Sequence, residues 1–182
     1  MIYENKPESE SQLFTDVISQ YPKDTPIIGI EIGVLNGATS RHLLSIHKNL
    51  HLFLIDPFVR DSMEKSLIGS EKNVKENLKE YKGRYTLKKN FSSRVVSDFN
   101  DNEIDFVFID GSHLYHDVKY DYELYYPKIK KGGKIFIHDS RMNRDGPKWH
   151  VGPSQFTDEL VSSGLQPKHE AFSLTMFIKG ET

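Results

Sequence analysis

Apolar and polar positions alternate along the chain in blocks whose period switches between helical and extended spacing. Leu13, Phe14, Val17, Ile18 and Tyr21 recur at helical intervals, the signature of one buried helix face. Ser9 and Gln12 before them read as a capping box, and Tyr21-Pro22 ends the helix, since the residue before proline is pushed out of the α region. Short apolar runs then alternate with helical stretches. Ile27 to Ile32 (IIGIEI) is followed by a glycine turn and a helix over Thr39 to Lys48. His51 to Ile55 (HLFLI) precedes a polar helical stretch, Asp61 to Tyr81, with Leu67, Val74 and Leu78 at its apolar positions. Arg84 to Leu87 and a short helix around Ser93 to Phe99 come next. Ile104 to Ile109 (IDFVFI) leads into a helix marked by Leu114, Val118, Tyr122 and Tyr125, and Lys134 to Ile137 (KIFI) is the fifth strand.

Strands separated by helices imply a parallel sheet covered on both faces, and right-handed crossovers make it doubly wound. After a polar loop over residues 141–153 and a helix from Ser154 to Ser162, Lys168 to Lys179 alternates with a two-residue period. No crossover helix fits inside that segment, so an antiparallel edge hairpin is expected there. The fold class is therefore α/β: a Rossmann-like doubly wound sheet, mostly parallel, with an antiparallel C-terminal edge hairpin. No repeat or linker divides residues 1–182, which read as one domain.

Composition narrows the function. At 182 residues, 37% hydrophobic and 27% charged, the chain can bury one sizeable core. The absence of cysteine removes disulfides, thiolate zinc and cysteine nucleophiles and fits a cytoplasmic protein. No apolar run approaches the ~20 residues of a membrane helix, and the polar, acidic start lacks the pattern of a signal peptide. Lys+Arg 24 against Asp+Glu 26 gives a net charge of −2 and no electrostatic reason for a nucleic-acid partner. A small-molecule ligand is the expectation.

In open α/β sheets ligands sit beyond the carboxyl ends of the strands, which selects the residues after each apolar run. Glu31, Gly33, Gly37 and Thr39 follow the first. Two glycines let backbone amides approach a ligand or simply make a tight βα turn, whereas a glutamate ending a buried strand wants a cationic or hydrogen-bonding partner. Asp56 lies roughly 20 residues beyond the glycines, where dinucleotide folds place an acid on ribose hydroxyls. The run ExGxxxG is not the GxGxxG of such folds, and there is no GxxxxGK[ST], which argues against pyrophosphate ligands. A ligand with a ribose, a cationic part and no phosphate fits better, as S-adenosylmethionine does. Asp110-Gly111-Ser112-His113 and His138-Asp139-Ser140 end the fourth and fifth strands. Carboxylates at neighbouring strand ends can converge on one hard cation, or merely cap local amides. His113 is a base, a ligand or a solvated helix-start residue, while strand alternation sends His138 to the opposite face from Asp139, in a packing role. The Lys128, Lys130, Lys131 and Lys134 run frames a solvated corner, and Trp149 and His150 line a substrate mouth or anchor a loop.

EIGVLNGATS, LFLIDPF and FVFIDGSHLYHDVKYDYELYYPKIKKGGKIFIHD resemble the class I S-adenosylmethionine-dependent methyltransferases. The branch is that of small-molecule O-methyltransferases, which includes macrocin-type sugar enzymes and is related to catechol O-methyltransferases. The resemblance runs from Ile27 to Asp139, with an echo in GPSQFTDEL. It implies that Glu31 and Gly33 line the methionine part of the cofactor, with Gly37 in the same glycine turn and Thr39 near the carboxylate. Asp56 then takes the ribose hydroxyls, Pro57 lies beside the adenine and Ser92 contacts it. Asp110, with Gly111 after it, lies near the methyl donor and is a ligand of Mg²⁺ or another divalent cation, Asp139 being the second. His113 stands where catechol-type enzymes have a lysine base, and Ser140 where they have an asparagine; the latter weakens the expected metal site. With no large insertion for a lid, the acceptor site must come from the 141–153 loop, the N-terminal helix or a partner subunit, such as a homodimer would supply. The rival readings are a metal-dependent hydrolase using Asp110, His113, His138 and Asp139, and a non-catalytic S-adenosylmethionine-binding module.

Overall fold

The computed structural model describes residues 9–59, 68–141 and 151–181. Among these residues seven strands form one sheet: β1 (Ile27–Ile32), β2 (Leu50–Ile55), β3 (Tyr85–Lys88), β4 (Ile104–Ile109), β5 (Ile129–Ile137), β6 (His169–Ala171) and β7 (Leu174–Ile178). Six α-helices accompany them among the described residues: α1 (Glu10–Ile18), α2 (Ala38–Ile46), α3 (Glu71–Asn77), α4 (Ser92–Val95), α5 (Tyr115–Tyr125) and α6 (Val151–Ser162). The spatial order is β3-β2-β1-β4-β5-β7-β6, with β1 to β5 all parallel. The chain winds outward from β1 to β3, then returns to place β4 on the other side of β1. That reversal opens the crevice between the carboxyl ends of β1 and β4.

The β-strand core lies close to where the apolar runs place it, because continuous Val/Ile/Leu/Phe segments suit strands buried on both faces. One apolar layer gathers Phe14, Leu43 and Val74 from α1, α2 and α3 against Phe106, Phe108 and Phe136. The other packs Val95, Val118, Tyr125 and Phe156 from α4, α5 and α6 against Ile30, Val107 and Ile135. Ser9 caps α1 as expected, its hydroxyl accepting from the Gln12 amide at 3.1 Å. The reciprocal half of the box is absent, since the Gln12 side chain donates instead to Asp16.

Several boundaries differ: α6 begins at Val151 rather than Ser154, and α4 ends at Val95, with a 3₁₀ turn over Val96–Asp98 in place of its expected continuation. The polar stretch after β2 is helical, among the described residues, over Glu71–Asn77 and a 3₁₀ turn at Lys79–Tyr81; Leu67 lies outside them. β5 begins at Ile129, with a register shift where it passes Gly132 and Gly133, and Lys128 and Lys130 there pair with Asp101 and Asp105 rather than standing free in solvent. The C-terminal hairpin forms, and β7, its second strand, pairs antiparallel with β5. β6 is the edge and runs in the direction of the parallel core. Both faces of β7 are covered, Leu174 and Met176 lying in one apolar layer and Phe177 in the other, with Thr175 equally buried.

Candidate functional site

β1 and β4 leave their ladder close together. The Asp110 amide donates to the Ile32 carbonyl at 2.8 Å and the Gly33 amide to the Ile55 carbonyl at 2.9 Å. Gly33 has φ +87, and a Cβ there would stand 2.0 Å from the Asp110 carbonyl oxygen. Only glycine lets the turn after β1 pass the end of β4 this closely. Glu31, two residues earlier, is 1% exposed, and its Oε2 has no hydrogen-bond partner among the described residues. Burial pushes its pKa well above the usual carboxylate range; the Ser40 hydroxyl opposes this, and the negative charges of Asp110 and Asp56 add to it. A buried, underpartnered carboxylate beside two others is a cation site in waiting. Gly37, with φ +80, opens α2 without a side-chain cap, leaving amides of the first turn around Thr39 for a ligand. The Gly37 α-carbon faces Val74.

Asp56 is buried and holds the neighbouring turns together. Oδ2 accepts from the Val34 and Leu35 amides at 2.8 and 2.9 Å, and Oδ1 from the Phe58 amide at 2.6 Å, beyond Pro57. Two carboxylate oxygens offer about four acceptor positions, so ribose hydroxyls would share it with the backbone. Ser92 begins α4 and donates its hydroxyl to Asp121 of α5, while its carbonyl accepts from Tyr125 at 3.0 Å. Its proton is committed to Asp121, and the hydroxyl keeps lone pairs as acceptors. Gly111 follows Asp110 and packs against Ile32, with Asp121 nearby.

The second cluster joins the ends of β4 and β5. Asp110, His138 and Asp139 bring ligand atoms within 4.8 Å of one another. His138 Nδ1 lies 3.0 Å from Asp110 Oδ1 and 3.2 Å from Asp139 Oδ2. This corrects the expectation that His138 packs away from Asp139. Asp139 adopts a left-handed conformation, φ +52, so the alternation of faces stops with the strand at Ile137. Nothing in β-strand periodicity signals that break; the pairing His138-Asp139 directly after an apolar run was the available hint. Burial disfavours charge on His138, but the carboxylates of Asp110, Asp139 and Glu10 outweigh it and raise its pKa. His113 Nε2 donates to Asp139 Oδ2 at 3.0 Å. At 7% exposure, His113 is not a solvated helix-start residue. Ser140 is turned away from the cluster: its hydroxyl lies 2.9 Å from the Ile137 and Ser173 carbonyls and 2.7 Å from Thr175 Oγ1.

Glu10, absent from the sequence expectations, completes this region. From the first turn of α1, its Oε2 accepts from His138 Nε2 at 3.1 Å, and its Oε1 accepts from the Ser173 amide and hydroxyl at 3.2 and 2.5 Å. These groups are 128 and 163 residues away in sequence, so no local pattern signals the contact. Trp149 and His150 lie outside the described residues.

Comparison with known proteins adds an independent line. The chain is 30% identical over 140 residues to an uncharacterized protein of Acanthamoeba polyphaga mimivirus, a match covering 76% of this chain and 62% of that one. It is 35% identical over 76 residues to an uncharacterized protein of Sinorhizobium fredii, covering 42% of this chain and 8% of the other. Among solved structures, the O-methyltransferase NovP superposes with a TM-score of 0.71 at 14% identity, over 93% of this chain and 78% of that one. The O-methyltransferase TomG of Streptomyces achromogenes, solved with S-adenosylmethionine, gives 0.65 at 14% identity, over 93% and 79%. At these identities the two structures share the fold. The family profile described as a methyltransferase domain matches residues 30–140, a span that takes in every strand end from β1 to β5. With more than half of its length inside that match, the chain belongs to the methyltransferase-domain family.

Proposed function

We propose that the protein transfers a methyl group from S-adenosylmethionine to a hydroxyl group of a small molecule. The observation that carries this reading is Glu31, a fully buried carboxylate with an unpartnered oxygen at the crevice between β1 and β4. It matches the positively charged methionine end of that donor, while the uncapped start of α2 suits its carboxylate and Asp56 its ribose. The likeness to the O-methyltransferases NovP and TomG supports the hydroxyl as acceptor, and the net charge of −2 favours a small molecule over nucleic acid. We place the reaction in the cytoplasm.

The donor supplies a methyl carbon already activated by its sulfonium, so the protein's task is alignment and proton removal. Gly33 lets the donor end approach Asp110. Asp110 and Asp139 offer hard oxygen ligands that would hold a divalent cation, joined by His138 Nδ1 once that ring has given up its proton, and the cation would acidify the acceptor hydroxyl. His113, oriented by Asp139, takes the proton in this reading.

Calorimetric titration with S-adenosylhomocysteine, with and without Mg²⁺ and with NAD as control, tests it. Micromolar binding of the homocysteine compound and none of NAD is expected. Absence of binding in both conditions, with tight binding of a divalent metal, would promote a metal-dependent hydrolase instead.

A further inference from the structure

An open cleft of about 570 Å³ lies between the first turn of α1 and the tip of the β6–β7 hairpin, lined by Ser9, Glu10, Ser11, Phe172 and Ser173. Its size is that of small-molecule sites, about 300–1,000 Å³. The cleft is one side chain away from the cluster at β4 and β5: Glu10 and Ser173 both line it and both approach His138 Nε2, at 3.1 and 3.4 Å.

Phe172 is anomalous in two ways. It is 73% exposed, where a large apolar side chain gains nothing from burial. It also occupies a left-handed turn position, φ +52, that Gly, Asn or Asp would take at lower cost. A residue that breaks both rules beside a cleft is serving something other than the fold. The remaining lining is three hydroxyls and a carboxylate. Glu10 spends part of its acceptor capacity on His138 and Ser173 and retains lone pairs for a ligand. One aromatic plate facing several short hydrogen-bonding groups suits a ring with an apolar C–H face and a rim of hydroxyls; a flat aromatic acceptor would want apolar walls on both sides.

Resting on the methyl-transfer reading above, the geometry points to this cleft as the acceptor site and to a polyhydroxylated ring, a glycoside, as its occupant. Phe172 stacks on the ring, and Glu10 and the serines hold its hydroxyls. All of these residues lie outside the matched span 30–140.

The test is amide NMR of the labelled protein, with and without S-adenosylhomocysteine, titrated with the methyl α-pyranosides of glucose, galactose and mannose and separately with catechol. At least one glycoside is expected to shift the Ser11, Phe172 and Ser173 amides saturably. Phe172→Ala should weaken that binding at least about fivefold while leaving the homocysteine compound's affinity unchanged. Phe172→Asn should do the same and raise the melting temperature, separating a ligand role from a structural one. Preferential shifts with catechol, no glycoside response at these amides, or an unchanged affinity in both variants would overturn the inference. Failure of S-adenosylhomocysteine to bind would instead overturn the methyl-transfer reading, and the glycoside arm without it still decides the cleft.

Discussion

Replacing Glu31 by Gln preserves shape and removes only the capacity for charge, so its consequences separate folding from ligand binding. Glu31 is buried with its Oε2 unpartnered, and burial, reinforced by Asp110 and Asp56 against the opposing Ser40 hydroxyl, lifts its pKa well above 4.5. An acid whose folded-state pKa is raised contributes stability below its unfolded pKa and loses that contribution as pH rises through the folded one. Glu31→Gln should therefore melt no lower than the parent near pH 5 and progressively higher than it as pH increases. Ligand binding should move the other way. A cation facing Glu31 favours the ionised form, and losing such a charge-assisted contact costs about 1.5–3 kcal/mol, or roughly 10- to 150-fold in Kd. S-adenosylhomocysteine retains the amino group that makes this contact, so calorimetry reads the loss directly. Below the folded-state pKa, binding to the parent should also release a proton, seen as different heats in phosphate and Tris buffers. A Glu31→Gln protein with unchanged affinity and buffer-independent heats in the parent would refute this role for the carboxylate.

Asp56→Ala should weaken S-adenosylhomocysteine binding and also lower stability, because three backbone amides lose their acceptor at about 1–3 kcal/mol for each one left buried and unpaired; Asp139→Ala should spare that affinity and lower turnover, and equal loss of affinity in both would contradict the roles assigned. Gly33→Ala, with a Cβ 2.0 Å from the Asp110 carbonyl and φ +87, should destabilise by several kcal/mol, beyond the ~1 kcal/mol of an ordinary glycine replacement, measured by denaturant unfolding. Ser140→Asn, which copies the catechol-type residue, should gain no affinity for Mg²⁺ or Mn²⁺ by calorimetry and should lower the melting temperature, since Ser140 is packed into the β5–β7 seam. Burial raises the pKa of Asp121 from 3.8 to about 6, so Asp121→Asn should raise stability above pH 7 by up to about 3 kcal/mol. That gain should fade as pH falls below 6, and a pH-independent difference would contradict the assignment.

Periodicity made the order of strands and helices legible, and with it the crevice that the strand ends share. β1 and β4 stand residue for residue where IIGIEI and IDFVFI place them, because strands buried on both faces must be apolar throughout. Glu31, Asp56, Asp110 and Asp139 were legible for the same reason, as charges ending apolar runs. Their partners were not. His138 joins the cluster because Asp139 turns left-handed where the ladder ends, and strand alternation carries no information about the residue after a strand. Ser140 points into the β5–β7 seam because β7 inserts beside β5 rather than β6, a choice of strand order that the spacing of a hairpin leaves open. Glu10 and Ser173 meet beside His138 from near the two ends of the described chain, 163 residues apart in sequence. Local sequence fixes what a segment can bury and where it must turn. Which distant side chains then meet depends on the packing of whole elements, and only the tertiary structure decides that.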